Sequence, residues 1–264
     1  MMLTFRSVNL SEESIEKDAI LLLHAFPLSS AMWQPQLDAL GNAGYAVIAP
    51  NAYGIEGSVE RLDWTFTDYS HELAKLLASL RVKRVTVVGL SMGGYQAFEF
   101  FRLYPDKTVS LVLCDTRAEA DTPAASSARK EFIRAVETDG AGEAERRMVP
   151  NYFTPETGAM NRELVAEVSA MIRDQSATVI NSAMQAILLR SDATPLLATI
   201  HCPVLVLNGK EDKLTTPETA ESIHSLIPHS KLHLLAGAGH ISNMEQPEAF
   251  NRALLAHIEE VRRS

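Results

Sequence analysis

The chain has 264 residues, 46% hydrophobic and 22% charged, enough to bury a substantial core in one large domain or one domain with an insertion. Its net charge of −9 argues against the clustered Lys and Arg that a nucleic acid or an anionic membrane surface requires, and leaves small neutral molecules as the natural partners. No apolar run approaches the ~20 residues of a bilayer-spanning helix, and the opening stretch lacks the basic start, apolar run and cleavage site of a secretory signal, so a cytoplasmic protein is expected.

In chain order, short apolar runs alternate with longer amphipathic stretches, the pattern of βα units building a mostly parallel central sheet with helices on both faces. Strands are expected over residues 19–23 and 46–49, then a helix over 69–80, a strand over 85–88, a helix over 92–103 and a strand over 110–114. The C-terminal part supplies a strand over 204–207, a helix over 217–226, a strand over 231–235 and a helix over 247–261, the two helices each opening on a Pro that has no donor to lose there. Four of these strands (46–49, 85–88, 110–114 and 204–207) are continuously apolar and therefore expected in the sheet interior.

Between these parts, residues 117–195 carry helical spacing over 123–138, 160–173 and 177–189 with no strand among them. The expected organisation is a core of residues 1–116 and 196–264 interrupted by a helical cap, 117–195. Met148, Met160, Met171 and Met184 lie in the cap, where thioethers either line an adaptable pocket or pack the cap helices together; the packing role is the commoner one. Cys114 and Cys202 have neither disulfide-framework nor metal-ligand spacing and read as buried free thiols. No metal, nucleotide or flavin motif stands out, so no cofactor is expected.

The chemistry begins where the apolar strand 85–88 runs into Gly89-Leu90-Ser91-Met92-Gly93 and then a helix. A serine on a sharp strand-to-helix turn projects its hydroxyl above the sheet, and the positions two residues to either side must be tiny; this is a nucleophile elbow. A serine hydroxyl is a poor nucleophile at neutral pH and needs a base, which in turn needs a carboxylate to fix its tautomer. Asp212 lies in the loop after strand 204–207 and His240 in the Gly-rich loop after strand 231–235, at strand C-terminal ends where open α/β sheets gather their sites. Asp115, ending strand 110–114, is the rival acid, and Glu211 a neighbour expected to be solvated.

With His24-Ala25-Phe26-Pro27, the Ser91 elbow, and the late Gly209-Lys210-Glu211-Asp212 and Gly237-Ala238-Gly239-His240 segments, the chain resembles the α/β-hydrolase superfamily over nearly its whole length. Capped carboxylesterases, enol-lactonases and cofactor-free perhydrolases are the most similar members. Ala25 replaces the usual Gly of the first motif, and Pro50-Asn51-Ala52-Tyr53-Gly54 lacks the Asp and Arg common before that glycine. The resemblance implies a serine hydrolase with Ser91 as nucleophile, His240 as base and Asp212 as orienting acid, in the chain order Ser, Asp, His. It further implies an oxyanion hole made by the backbone N–H groups of Phe26 and Met92, and a hydrogen-bonding role for His24 within the oxyanion loop.

The expected reaction is hydrolysis of carboxylic esters or lactones of small, mainly apolar substrates through an acyl-enzyme. Leu28, Leu214 and Ile241, each beside a motif residue, are candidate pocket walls. An enol-lactonase acting on a carboxylated lactone would aim an arginine into the pocket, with Arg117, Arg173 and Arg190 as candidates; perhydrolase and C–C bond hydrolase chemistry would use the same triad. A non-catalytic ligand-binding protein on the same fold is the alternative from another class. His71, His201, His224, His229, His233 and His257 have no motif support.

Overall fold

A computed structural model describes residues 3–10 and 17–263. In chain order it runs through β1 (Phe5–Val8), β2 (Lys17–Leu23), α1 (Gln34–Asn42), β3 (Val47–Pro50), α2 (Phe66–Ser79), β4 (Val82–Leu90), α3 (Met92–Leu103) and β5 (Thr108–Cys114). Six helices follow without a strand among the described residues: α4 (Pro123–Asp139), α5 (Ala141–Met148), α6 (Pro155–Met160), α7 (Arg162–Arg173), α8 (Ala177–Leu188) and α9 (Thr194–Leu197). The chain closes with β6 (Val204–Gly209), α10 (Pro217–Leu226), β7 (Lys231–Leu235), α11 (Ser242–Glu245) and α12 (Pro247–Arg263).

The sheet has seven strands in the order β1-β3-β2-β4-β5-β6-β7. Only β1 runs antiparallel to its neighbour, β3; the remaining pairs are parallel. The four continuously apolar strands all lie inside the sheet, and β2 joins them at its centre. Val85, Val87, Val88, Leu111, Val112 and Leu113 are fully buried, as strands covered on both faces demand. From β2 the chain leaves to one side for β3 and returns on the other for β4, so the strand order reverses at β2 and β4, where Leu23 pairs with Gly89. A crevice forms at such a reversal beyond the strands' C-terminal ends, and both the His24 loop and the Ser91 elbow open there.

Helices α1, α5, α6, α9 and α11 were not expected from the sequence, and three further departures have a local cause. Strand β1 adds a seventh, short edge strand, with its two middle residues exposed. Helix α2 begins three residues before residue 69, because Thr65 accepts the Asp68 amide while Asp68 accepts the Thr65 amide, a reciprocal capping box. The helix expected over 160–173 starts two residues later, as α7: Asn161 separates it from the unexpected α6 and caps it by accepting the Leu164 amide at 3.1 Å. Met160 is 80% exposed, whereas Met184 is buried in α8 and Met148 and Met171 are half-buried. Among the described residues no helix is long and apolar enough to cross a membrane.

Candidate active site

Ser91 follows β4 at φ 55°, ψ −111°, a left-handed conformation that costs a side-chain-bearing residue on the order of 1–3 kcal/mol. The surroundings over-determine it. Its amide donates to the Cys114 carbonyl at 2.9 Å, and its carbonyl accepts from the Gly94 amide and from Thr116 Oγ1 at 2.8 Å. A Cβ on Gly89 would lie 2.2 Å from the Gly93 carbonyl oxygen, and one on Gly93 2.0 Å from that of Leu23, so backbone is packed on backbone at both positions. The sharp turn leaves Ser91 partly exposed above an otherwise buried α3 N-terminus.

His240, buried in the loop after β7, lies with Nε2 2.8 Å from Ser91 Oγ and Nδ1 2.8 Å from Asp212 Oδ2. Every lone-pair direction of the Asp212 carboxylate is used: Oδ1 accepts the amides of Leu214 and Thr215, and Oδ2 accepts Thr215 Oγ1 at 2.5 Å as well as the imidazole. Burial opposes ionisation of Asp212, but the charge of His240 and these hydrogen bonds outweigh it and hold the carboxyl below its ordinary range. An ionised Asp212 accepts only, so Nδ1 carries the imidazole proton and Nε2 is left to accept from the serine hydroxyl. The loops that carry Asp212 and His240 meet closely: a Cβ on Gly209 would sit 2.0 Å from the Gly239 carbonyl oxygen. Glu211 is exposed, as expected, and also accepts the Ala238 amide across the same junction.

Asp115 makes no hydrogen bond to His240. Fully buried, it accepts the Gly209 amide at 2.7 Å and Ser242 Oγ at 2.5 Å, bracing the acid loop and the start of α11. Burial, reinforced by the charge of Asp212, drives its pKa well upward and so toward the neutral form. Two carboxyl groups on neighbouring strands are thus pushed in opposite directions.

The N–H groups of Phe26 and Met92 have no hydrogen-bond acceptor among the described residues. His24 orders the loop that carries Phe26: its Nδ1 meets the Ala25 carbonyl at 2.9 Å and its Nε2 accepts the Ala52 amide at 3.0 Å. Burial lowers the His24 pKa to about 4, keeping it neutral and fixed in one tautomer.

The helical segment reaches into the same place. Tyr152, fully buried between α5 and α6, donates its hydroxyl to the Phe26 carbonyl at 2.5 Å and stacks its ring on His240 at 5.9 Å between centroids. Its own carbonyl accepts the amides of His240 and Ile241. Gln175 donates to the Pro27 carbonyl, Phe132 packs edge-on against Phe26, and Glu245 joins the Thr154 and Gly239 amides. No local sequence pattern marks Tyr152, Thr215 or Gln175: Tyr152 and Gln175 act on a loop far away in the chain, and the Thr215 hydroxyl serves Asp212, three residues before it, without forming a motif.

Other sequence candidates sort by position. Leu28 and Ile241 are fully buried in the core, and only Leu214 keeps accessible surface. Arg117 donates to the Leu214 carbonyl; Arg190 pairs with Asp121 and lies 4.5 Å over the Tyr95 ring; Arg173 pairs with Glu145 on the surface. Each of the three arginines thus has its own partner, and none is hydrogen-bonded to Ser91, Asp212 or His240. Of the six histidines without motif support, His257 is buried, with its pKa lowered to about 4 chiefly by that burial. Among the described residues no group of three or more His, Cys, Asp or Glu side chains is placed to hold a metal ion.

A model of the alpha/beta hydrolase family matches residues 20–253. The chain is 30% identical over 246 residues to 3-oxoadipate enol-lactonase 2 of Acinetobacter baylyi, covering 91% of this chain and 88% of that protein. It is 26% identical to a 2-hydroxy-6-oxononadienedioate/2-hydroxy-6-oxononatrienedioate hydrolase of Burkholderia vietnamiensis, covering 94% and 89%. Among solved structures, a thermophilic esterase from Thermogutta terrifontis superposes with a TM-score of 0.91 at 32% identity, over 98% of this chain and 93% of that one. The chain belongs to the alpha/beta hydrolase family and is a hydrolase.

Proposed function

We propose that this hydrolase cleaves carboxylic esters or lactones of small, mainly apolar molecules through an acyl-enzyme on Ser91. The observation that carries the proposal is the unbroken hydrogen-bonded chain from Asp212 through His240 to Ser91. In the first half-reaction Ser91 Oγ attacks the carbonyl carbon as His240 Nε2 takes its proton, and the collapsing intermediate expels the alcohol, to which His240 returns that proton. In the second half, water gives a proton to His240 as it attacks the acyl carbon, and the collapsing intermediate releases the acid and Ser91 Oγ, to which His240 returns that proton. Asp212 stays ionised throughout and stabilises the imidazolium. The unpaired N–H groups of Phe26 and Met92 are assigned to the oxyanion. Loss of one such donor costs ~2.7–4 kcal/mol of transition-state stabilisation in a serine protease.

Residues 117–195 are proposed as a cap over a core of 1–116 and 196–264, a reading supported by the contacts of Phe132, Tyr152 and Gln175 with the Phe26–Pro27 loop. Those two phenyl rings favour an apolar acyl or alcohol group beside Ser91. The relatives are named as an esterase, an enol-lactonase and a hydrolase of 2-hydroxy-6-oxononadienedioate or its trienedioate counterpart, and ester, lactone and C–C bond cleavage all fit the same serine.

The test is labelling with a fluorophosphonate, mapped by mass spectrometry, beside hydrolysis of p-nitrophenyl esters of increasing acyl length. The expected result is modification of Ser91 together with turnover. Neither labelling nor turnover in intact protein would overturn the reading in favour of a ligand-binding protein on this fold.

A further inference from the structure

Oxyanion stabilisation and proton transfer have to be in register with each other, yet their groups come from loops far apart in sequence, after β2 and after β7. One residue touches both. The Tyr152 hydroxyl donates to the carbonyl of Phe26, whose own N–H is the assigned oxyanion donor, and the Tyr152 carbonyl accepts the amide of His240. Its ring lies nearly parallel to the His240 imidazole, 18° between planes. Burial raises the phenol's pKa, so it remains a proton donor to the carbonyl at any working pH.

Resting on the acyl-enzyme reading above, we infer that Tyr152 is a positioning residue that sets the oxyanion loop in register with the catalytic histidine, its hydroxyl acting on the Phe26 donor. The Phe26 carbonyl belongs to the peptide joined to Pro27, which has no N–H, so orientation of this segment depends on acceptors being held. Tyr152 holds the Phe26 carbonyl and Gln175 the next one, both from the helical segment. Nearby backbone leaves little freedom on the other side: a Cβ on Gly239 would meet the Tyr152 carbonyl oxygen at 2.8 Å. With the carbonyl end of Tyr152 fixed against the base loop, its hydroxyl transmits that position to Phe26. A rigid link of this kind acts on the transition state, in which the oxyanion forms, more than on substrate binding.

The experiment compares Tyr152→Phe with wild type in ester turnover and in affinity for an arylboronic acid, which forms a tetrahedral adduct on the serine and places an oxygen in the oxyanion hole. The substitution removes the hydroxyl and keeps the ring and the backbone acceptor for His240. The expected result is a fall in kcat of about ten- to a hundredfold with KM unchanged, and a parallel loss of boronate affinity. The pH profile of kcat/KM keeps its midpoint, because the His240–Asp212 pair is untouched. Unchanged kcat, or a fall in kcat with undiminished boronate affinity, would overturn the inference. Fluorophosphonate labelling of wild type serves as the separate control: its absence defeats the acyl-enzyme reading itself, whereas labelled and equally active Tyr152→Phe defeats only the role of Tyr152.

Discussion

At the scale of single residues, the two buried carboxyl groups provide the sharpest discrimination. Asp212 accepts four hydrogen bonds, including the one from His240, while Asp115 has none with the imidazole and serves Gly209 and Ser242. Asp212→Asn keeps the shape but forces the imidazole into the wrong tautomer, so kcat is expected to fall by about 10⁴, as in the serine protease precedent for that substitution. Asp115→Asn retains an acceptor for Gly209 and is expected to leave kcat within about threefold, its cost appearing in the denaturation midpoint instead. Comparable losses of kcat in both variants would contradict the assignment. Ser91, Asp212 and His240, which the structure joins by hydrogen bonds, were singled out in the sequence because the proposed chemistry calls for those residue types at strand ends. The Thr215 hydroxyl on Asp212 was not, since a threonine three residues after an aspartate carries no motif. The same holds for the exclusion of Asp115, which is decided by the direction of a side chain rather than its place in the chain.

At the scale of elements, local signals and tertiary packing contribute unequally. The capping box of Thr65 and Asp68 starts α2 and shares no hydrogen bond with Ser91, Asp212 or His240, so Thr65→Ala is expected to cost about 1 kcal/mol in urea unfolding with kcat unchanged. A kcat change of more than a few fold would show instead that α2 bears on the site. The long apolar strands and α3, α10 and α12 were readable because burial on one or both faces imposes its period on the sequence. Strand β1 was not, because four residues with both middle side chains exposed have no such pattern. Helix α1 buries only Gln36, Leu37 and Leu40, and one of these is polar. Helix α5 is stabilised by Glu143, buried and paired with both Arg146 and Arg147, an arrangement that reads as a solvated charge run until the partners are known.

Across the whole molecule, the site is assembled where the strand order reverses, and its stability carries a pH signature from histidines buried in the neutral form. His24 and His257 each have a folded pKa of about 4 against an ordinary 6.5. The unfolded chain therefore takes up these protons first. The stability they contribute is fully present above 6.5 and is lost as pH falls toward 4, on the order of 3 kcal/mol for His24. Urea midpoints of wild type at about pH 7 and about pH 4.5 should differ by more than those of His24→Gln, which offers an amide donor and an acceptor without a titrating ring. Equal pH dependence in the two proteins would remove His24 as a source. The fold class was legible as a whole, since βα alternation and the positions of three loops determine it. The contact of residues 117–195 with the Phe26 loop was not, because it rests on Phe132, Tyr152 and Gln175 meeting residues more than a hundred positions away.

The central claim is the acyl-enzyme on Ser91, and rapid-quench mass spectrometry during p-nitrophenyl acetate turnover tests it most directly, with Ser91→Ala run in parallel. The account predicts an acetyl group on Ser91 in wild type and a loss of turnover of about 10³-fold or more in the variant. An acetyl group on another residue, or wild-type turnover by Ser91→Ala, would contradict it.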